Sequence, residues 1–300
     1  MVDPAAHPVV EPALPATPHR LVYLGTPAMA VPPLRALVTA GFDVALAVTR
    51  VDTRRGRGTD TSPSPVKAAA LELGIPVSHD VDDVLAADAD LGVVVAFGRL
   101  IRPHLLAGLP FVNLHFSLLP RWRGAAPVER ALLAGDDRTG VCLMRLEAGL
   151  DTGPVHARVE VPITSDATGD SLRRLLVDVG TDLLVDRLRH GIGPGTAQDG
   201  EVTYAAKLTT DDLHLDWSRP AVERHRQVRL GGAWTTWRGK RLKVHAADLL
   251  DGDGVGAEVA ADGAVGGLRL TTVQPEGKGP MSWRDLANGA RITAPEILGT

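Results

Sequence analysis

Leu91-Gly-Val-Val-Val-Ala-Phe97 is the most strand-like run in the chain, apolar throughout and too short to make a helix that buries a face. Runs of the same kind flank it. Leu21-Val-Tyr-Leu-Gly25 and Asp43 to Thr49 come before it, and Phe111-Val-Asn-Leu-His115 follows. Between them the pattern turns helical. Pro32 to Ala40 is closed by Gly41 and Pro65 to Leu73 by Gly74, while Asp80 caps a short helix reaching about Ala87. Ile75-Pro-Val77 adds a short strand. Strands alternating with helices predict an α/β fold: an open, doubly wound, mostly parallel, Rossmann-like sheet.

In such sheets the ligand crevice lies beyond the carboxyl ends of the strands. That edge collects Gly25-Thr26-Pro27, the polar and basic loop from Val51 to Pro65, Phe97-Gly98-Arg99, and Asn113 with His115. Further on, Val141 to Glu147 and Pro154 to Val161 read as strands less clearly parallel, and Asp170 to Arg189 as an amphipathic helix. The stretch Gly191 to Gly200 breaks this pattern with glycine and proline, as a linker does. After about Thr209 the grammar changes. A helix from Pro220 to about Val228 precedes short strands at Ala233–Trp237, Arg241–Ala247, Gly256–Ala260 and Leu268–Val273, which predicts a small β-barrel. The expected division is therefore an N-terminal extension over 1–20, without order of its own, and a catalytic domain over 21–190. A linker over 191–212 and a C-terminal barrel over 213–300 complete it.

Three hundred residues suffice for two domains, and 44% apolar with 23% charged residues is ordinary for a globular chain. With aromatics at only 4%, Ala, Val and Leu must fill the core. The single cysteine, Cys142, excludes an intramolecular disulfide and sits in an apolar run, as a small core residue does. A net charge of −4 does not announce a nucleic-acid partner, but its distribution is uneven. Arg219, Arg224, Arg226, Arg229, Arg238, Lys240, Arg241 and Lys243 face one acid, Glu223, in a stretch that suits either a phosphate-binding patch or a solvated face. No run is apolar and long enough to span a membrane, and the first twenty residues lack the basic start and continuous apolar core of a signal peptide. A cytoplasmic location without membrane attachment is expected.

Asn113 and His115 stand two apart on one strand, so their side chains share a face. Asp151, in Ala148-Gly-Leu-Asp-Thr-Gly153, follows the next strong strand. An imidazole that moves a proton, a carboxylate that supports it and an amide that donates to an oxyanion make an acyl-transfer site. The same residues also suit a backbone-bonded His, a turn-fixing Asn and a turn-capping Asp. Other chemistries find less support. The first strand–helix turn lacks G-x-G-x-x-G, no G-x-x-x-x-G-K-[ST] occurs, and no His or Cys pair has metal spacing, so no metal is expected.

Asn113-Leu-His-Phe-Ser-Leu-Leu-Pro-Arg-Trp-Arg-Gly-Ala-Ala-Pro127, with Gly149-Leu-Asp-Thr-Gly153, closely resembles the signature of the methionyl-tRNA formyltransferases, a branch of the folate-dependent formyltransferases. The resemblance extends from Leu21 onward. It takes in Gly25-Thr-Pro27, the Arg-Gly-Arg-Gly58 loop, Ser62-Pro-Ser-Pro-Val-Lys67, Tyr204-Ala-Ala-Lys-Leu-Thr209, Asp216-Trp217, Gly232-Ala-Trp-Thr235 and Val273-Gln-Pro-Glu-Gly-Lys278. It implies that Asn113, His115 and Asp151 are the catalytic trio. It also implies that 10-formyltetrahydrofolate, the co-substrate, is held at Phe97, Gly98, Leu100, Ser117, Leu118, Leu119, Pro120, Gly149 and Leu150, largely through backbone groups. Initiator methionyl-tRNA would be the partner, met by Arg55, Arg57, Lys207, Arg238, Lys240 and Lys243, with the C-terminal domain an oligonucleotide-binding-like barrel. A monomer is expected. The chain departs from the family pattern at Ala28 and Met29, and at Val228 to Gly232 near the barrel entrance. Alternatives are the same chemistry on another amine, a sugar nucleotide or an amino acid, and hydrolysis of formyl-folate by water.

Overall fold

The computed structural model describes residues 12–54 and 61–300. The expectation for 1–20 therefore lies largely outside the described residues, as do Arg55, Arg57 and Gly58 of the long loop. The chain forms two compact units. The first takes residues up to Pro127 with Arg138–Val161 and Arg173–Ala205, and the second takes Val128–Asp137, Pro162–Leu172 and Ala206–Thr300.

The first unit is built on one sheet of seven strands. In chain order these are β1 (Arg20–Gly25), β2 (Asp43–Val48), β3 (Val77–Ser78), β4 (Leu91–Val95), β5 (Phe111–His115), β6 (Arg138–Arg145) and β7 (Val155–Pro162). Their spatial order is β7-β6-β5-β4-β1-β2-β3. Pairs from β5 through β4 and β1 to β2 and β3 are parallel. β6 runs antiparallel to β5, with His115 opposite Cys142 and Val112 opposite Arg145.

Helices cover both faces, as double winding requires. Phe111 packs with Val22, Leu24, Val94, Leu105 and Leu106, so a helix over Pro103–Gly108 and a 3-10 helix over Asp82–Ala86 cover one face. On the other face Gly180 of the long helix Gly169–His190 stands against Val141 and Leu114, 3.1 and 3.3 Å from where a Cβ would sit. Gly92 on β4 pairs with Phe111, and a Cβ there would fall 2.0 Å from the ring. Glycine is what lets a fully buried phenylalanine lie flat on the next strand, a burial worth ~1.5–3 kcal/mol.

Three local expectations change. The strand at Leu91 ends at Val95 rather than Phe97, because Ala96 (φ 47°) and Gly98 (φ 70°) turn into the left-handed region. The helix after Asp80 is a single 3-10 element whose entry is fixed by Asp80 Oδ1 accepting the Asp82 N–H at 3.1 Å. The arms of the 51–65 loop pair as a short antiparallel ribbon, Thr53 opposite Ser62.

The second unit carries the antiparallel sheet β8 (Trp234–Trp237), β9 (Lys240–Leu249), β10 (Glu258–Val259), β11 (Ala264–Val265), β12 (Leu268–Pro275), β13 (Met281–Ser282) and β14 (Glu296–Ile297). The order β8-β9-β12-β11-β10-β14 closes on itself, since Leu298 bridges Trp237 and Gly299 donates to the Thr236 carbonyl at 2.8 Å. Closure removes the exposed strand edges. Leu242 and Val244 point into a core with Trp217, Val228 and Trp283, and Arg241, Lys243 and His245 alternate outward. The helix Trp283–Ala290 and the closing strand Glu296–Ile297 are absent from the sequence expectations. One is short and the other has two residues, too few for either period to register.

Candidate active site

β5 lies between β4 and β6, so its backbone is bonded on both sides and its carboxyl end is a rigid mount. His115, 5% exposed, closes the strand there. Its Nε2 lies 2.9 Å from the Trp122 carbonyl. A carbonyl can only accept, so Nε2 carries the proton and donates. That leaves Nδ1 as the nitrogen able to take up and return a proton. Nδ1 faces Asp151 Oδ2 at 3.7 Å, beyond hydrogen-bond length. The ring is therefore oriented by a backbone carbonyl, not by the carboxylate as the sequence suggested. Nor is the Nε2 N–H open to a ligand, since the Trp122 carbonyl already takes it. Asn113 is half-buried on the same face, and its carboxamide makes no hydrogen bond among the described residues.

The segment after His115 acts as a strap. Ser117 Oγ donates to the Arg121 carbonyl at 2.6 Å, and the Trp122 N–H donates to Thr203 Oγ1 at 2.9 Å. The Arg123 N–H donates to the Thr203 carbonyl at 2.9 Å, and Arg123–Gly124 pairs in parallel with Tyr204–Ala205. Gly124 has φ 119°, and a Cβ there would sit 3.0 Å from the Ala205 carbonyl oxygen, so a side chain is excluded on both counts. Residues 198–205, which the sequence assigned to a linker, thus hold the strap in place.

Asp151 arrives by an indirect route. Because β6 is antiparallel, the loop that follows it starts beside the amino end of β5, where the Leu146 N–H donates to the Phe111 carbonyl. Arg145 N–H to Pro154 O, at 3.0 Å, closes the loop base. The excursion carries Asp151, in the left-handed region at φ 49°, back to His115. There Asp151 Oδ2 accepts the Gly124 N–H at 2.8 Å. Gln198 Nε2 donates to the carbonyls of Asp151 and Gly153, each at 2.8 Å. Its Oε1 accepts from Arg123 Nε and Nη2 at 3.1 and 2.6 Å.

The residues expected to hold folate fall into two groups. Gly98 turns at the carboxyl end of β4, with its carbonyl accepting from Arg50 at 3.1 Å, and Leu100 and Leu150 are exposed at 78% and 49%. Phe97, Ser117, Leu119 and Pro120 are buried, Leu118 is half-buried and Gly149 is exposed. The Leu119 side chain packs on Cys142 and Met144 as core, so only backbone groups there could meet a ligand. Burial pushes the Cys142 thiol up to about 11, which keeps it neutral and unsuited as a nucleophile.

The basic stretch divides in the same way. Arg224 is fully buried, lies over the Trp217 ring at 4.8 Å and donates to the carbonyls of Arg219, Gly254 and Gly266. Arg229 donates to the carbonyls of Thr164 and Ala167, and Arg226 to that of Ala134. Arg219 pairs with Glu223. Arg238 pairs with Glu296, and that contact holds the Glu296 carboxyl below its ordinary range. Arg241 stacks over the Trp234 ring at 4.2 Å. Lys207, Lys240 and Lys243 are exposed and make no ion pair among the described residues. Arg241 and Lys243 also line an open groove of about 280 Å³ with Gln274, Pro275, Glu276 and Gly277.

Comparison with known proteins bears on this geometry. The formyl transferase model matches residues 19–188, and the model of the formyl transferase C-terminal domain matches residues 207–291. The chain is 42% identical over 281 residues to a methionyl-tRNA formyltransferase of Ruegeria pomeroyi, covering 86% of this chain and 93% of that one. It is 41% identical to the enzyme of the same name from Jannaschia sp., over 93% and 99% of the two chains. Among solved structures, an N-formyltransferase from Helicobacter canadensis in complex with folinic acid and dTDP-3-aminofucose has a TM-score of 0.65 at 16% identity, covering 86% of this chain and 99% of that one. That likeness is one of fold.

Proposed function

The chain belongs to the formyltransferase family, and on that premise we propose that it transfers the formyl group of 10-formyltetrahydrofolate to the α-amine of initiator methionyl-tRNA. The observation that carries this reading is the meeting of His115 and Asp151, with Asn113 on the same face of β5 and without a hydrogen-bond partner among the described residues, in a chain more than 40% identical to methionyl-tRNA formyltransferases over most of its length.

The residues present suit the co-substrate. An amide without a hydrogen-bond partner among the described residues stands on β5 two residues before His115, and exposed Leu100 and Leu150 flank the turns at Gly98 and Asp151. The co-substrate supplies the activated formyl carbon. The chain supplies the rest. Asn113 donates from its amide to the carbonyl oxygen as negative charge develops there. His115 Nδ1 accepts the proton of the attacking amine and returns it to the departing folate nitrogen. One C–N bond forms, one breaks, and the proton moves between the two nitrogens with no net change on the ring. Asp151 faces the same nitrogen at 3.7 Å and supplies the counter-charge while the ring holds that proton. No covalent enzyme species is needed, which agrees with a neutral, buried Cys142 and with Ser117 turned to the Arg121 carbonyl.

Exposed lysines at Lys207, Lys240 and Lys243 suit phosphates of the acceptor, with Arg241 sharing a groove with Lys243. The protein acts in the cytoplasm, where charged tRNA and reduced folate are found; among the described residues no helix is long and apolar enough to cross a membrane. The test is incubation with formyl-folate and charged initiator tRNA, scored for formyl-methionine, with elongator and uncharged tRNA, a sugar nucleotide and no acceptor as parallel arms. Formylation confined to charged initiator tRNA is expected. Folate turnover without acceptor, or preference for a sugar amine, would overturn the assignment.

A further inference from the structure

Gln198 stands in Ala197-Gln-Asp-Gly200, in a stretch without regular structure, yet its carboxamide is saturated. A glutamine amide has two N–H donors and an oxygen with two lone pairs. Both donors are taken, by the carbonyls of Asp151 and Gly153, and the oxygen accepts twice from the Arg123 guanidinium. Arg123 lies between the residue whose carbonyl accepts from His115 and the residue whose N–H donates to Asp151. One side-chain amide thus joins the strap that orients the imidazole to the turn that carries the carboxylate.

We propose that Gln198, itself held by Arg123, is a positioning residue that keeps the Asp151 carboxylate aimed between His115 Nδ1 and the Gly124 N–H. The inference rests on the function proposed above and goes beyond it by assigning a role outside the trio. Asp151 sits at φ 49° on an excursion between strands, where even the tolerant Asp backbone is costlier than an extended one and is fixed by its neighbours. Within the Asp151–Gly153 turn both bonded carbonyls are held by Gln198, whereas the other backbone ties close the loop farther out, Arg145 to Pro154 and Val155 to Thr196. The strap, by contrast, stays bound to Thr203 and Ala205 whether or not Gln198 is present. Losing the amide therefore releases the carboxylate selectively and leaves His115 and Asn113 where they are.

The test uses the full chain with formyl-folate and methionyl-tRNA. Gln198→Met keeps the length of the side chain and removes all four bonds. A shift of about 1 Å in a reacting group can cost ~100-fold, so kcat should fall by about that factor while KM for either substrate stays within about threefold. The melting midpoint should stay within a few degrees. In an Asp151→Asn background the same substitution should have less than about a twofold further effect, because the group it positions is already gone. Arg123→Met should reproduce the kcat loss, and it serves as the readout should Gln198→Met fail to fold. Losses from Gln198→Met and Asp151→Asn that simply multiply, or a kcat within threefold of wild type, overturn the proposal. If Asp151→Asn alone transfers formyl at the wild-type rate, the failure lies in the catalytic reading itself.

Discussion

The carboxyl end of β5 and the basic stretch from Arg219 to Lys243 are both crowded with polar side chains, and in both the fold commits most of them to structure. At the strand end, His115 is tied to a carbonyl, Asp151 to an N–H and Gln198 to two carbonyls, which leaves Asn113 unpartnered. In the basic stretch Arg224, Arg226 and Arg229 are spent on carbonyls and Arg219 and Arg238 on carboxylates, which leaves Lys240, Lys243 and Arg241, the last stacked on Trp234. Function falls to the groups that the fold leaves open. The difference is mobility. Asn113 is half-buried on a central strand, where a donor is already aimed and loses little on use, so it can act on a transition state. The lysines are exposed on long stems, where charge attracts but does not position.

That contrast can be broken by substitution. Asn113→Ala should lower kcat by ~100–1000-fold with tRNA affinity unchanged, the ordinary effect of losing an oxyanion donor. Single-turnover rates beside equilibrium binding check it, and a loss that falls mainly on binding would erase the distinction between the two regions. Arg224→Ala should act on the fold alone. It leaves three carbonyls without their donor and removes the cover of Trp217, a destabilisation of about 3 kcal/mol or more seen as a lower melting midpoint. If instead it weakens tRNA binding without loss of stability, Arg224 belongs with the lysines.

Lys243→Gln should weaken tRNA binding several-fold and reduce the slope of log affinity against log salt by about 1, as expected when one fewer phosphate is neutralised. An unchanged slope would remove Lys243 from the interface. The smallest effect is expected at Asp212, bound by Arg130 and by Thr209. The Arg130 guanidinium first, then the Thr209 N–H, lowers its carboxyl from 3.8 to about 2. A lowered folded value stabilises at pH above the unfolded value and is lost as pH falls through the folded one. Asp212→Asn should therefore destabilise by about 1–2 kcal/mol at neutral pH, with the gap narrowing below about 3.8 and gone only once the pH is below about 2. A gap that does not vary with pH would mean that the pair acts by shape and not by charge.

Much of this was legible in the sequence, for reasons that differ by region. Asn113 and His115 were visible because a strand places alternate side chains on one face, and Phe111-Val-Asn-Leu-His115 is strand-like by composition. Asp151 was visible as a polar residue after a strong strand, but its meeting with His115 was not, since nothing in its spacing tells that an antiparallel β6 sends the loop away from the site before it returns. Gln198 and Thr203 were hidden because the groups they hold in the site are backbone carbonyls and N–H groups, which every residue has, so no pattern marks them. The basic stretch reads as charge alone until its period is considered. Ala221, Arg224 and Val228 recur at helical spacing on the face that is buried.

The central claim is that Asn113 is the donor that stabilises the transition state of formyl transfer to the methionyl amine. The most direct measurement is the single-turnover rate of formyl transfer from formyl-folate to initiator methionyl-tRNA by the wild-type chain and by Asn113→Ala, both saturated with substrates. The wild type should form formyl-methionyl-tRNA and the variant should do so at least ~100-fold more slowly with the same bound fraction. Equal rates, or no transfer by the wild type, would contradict the account.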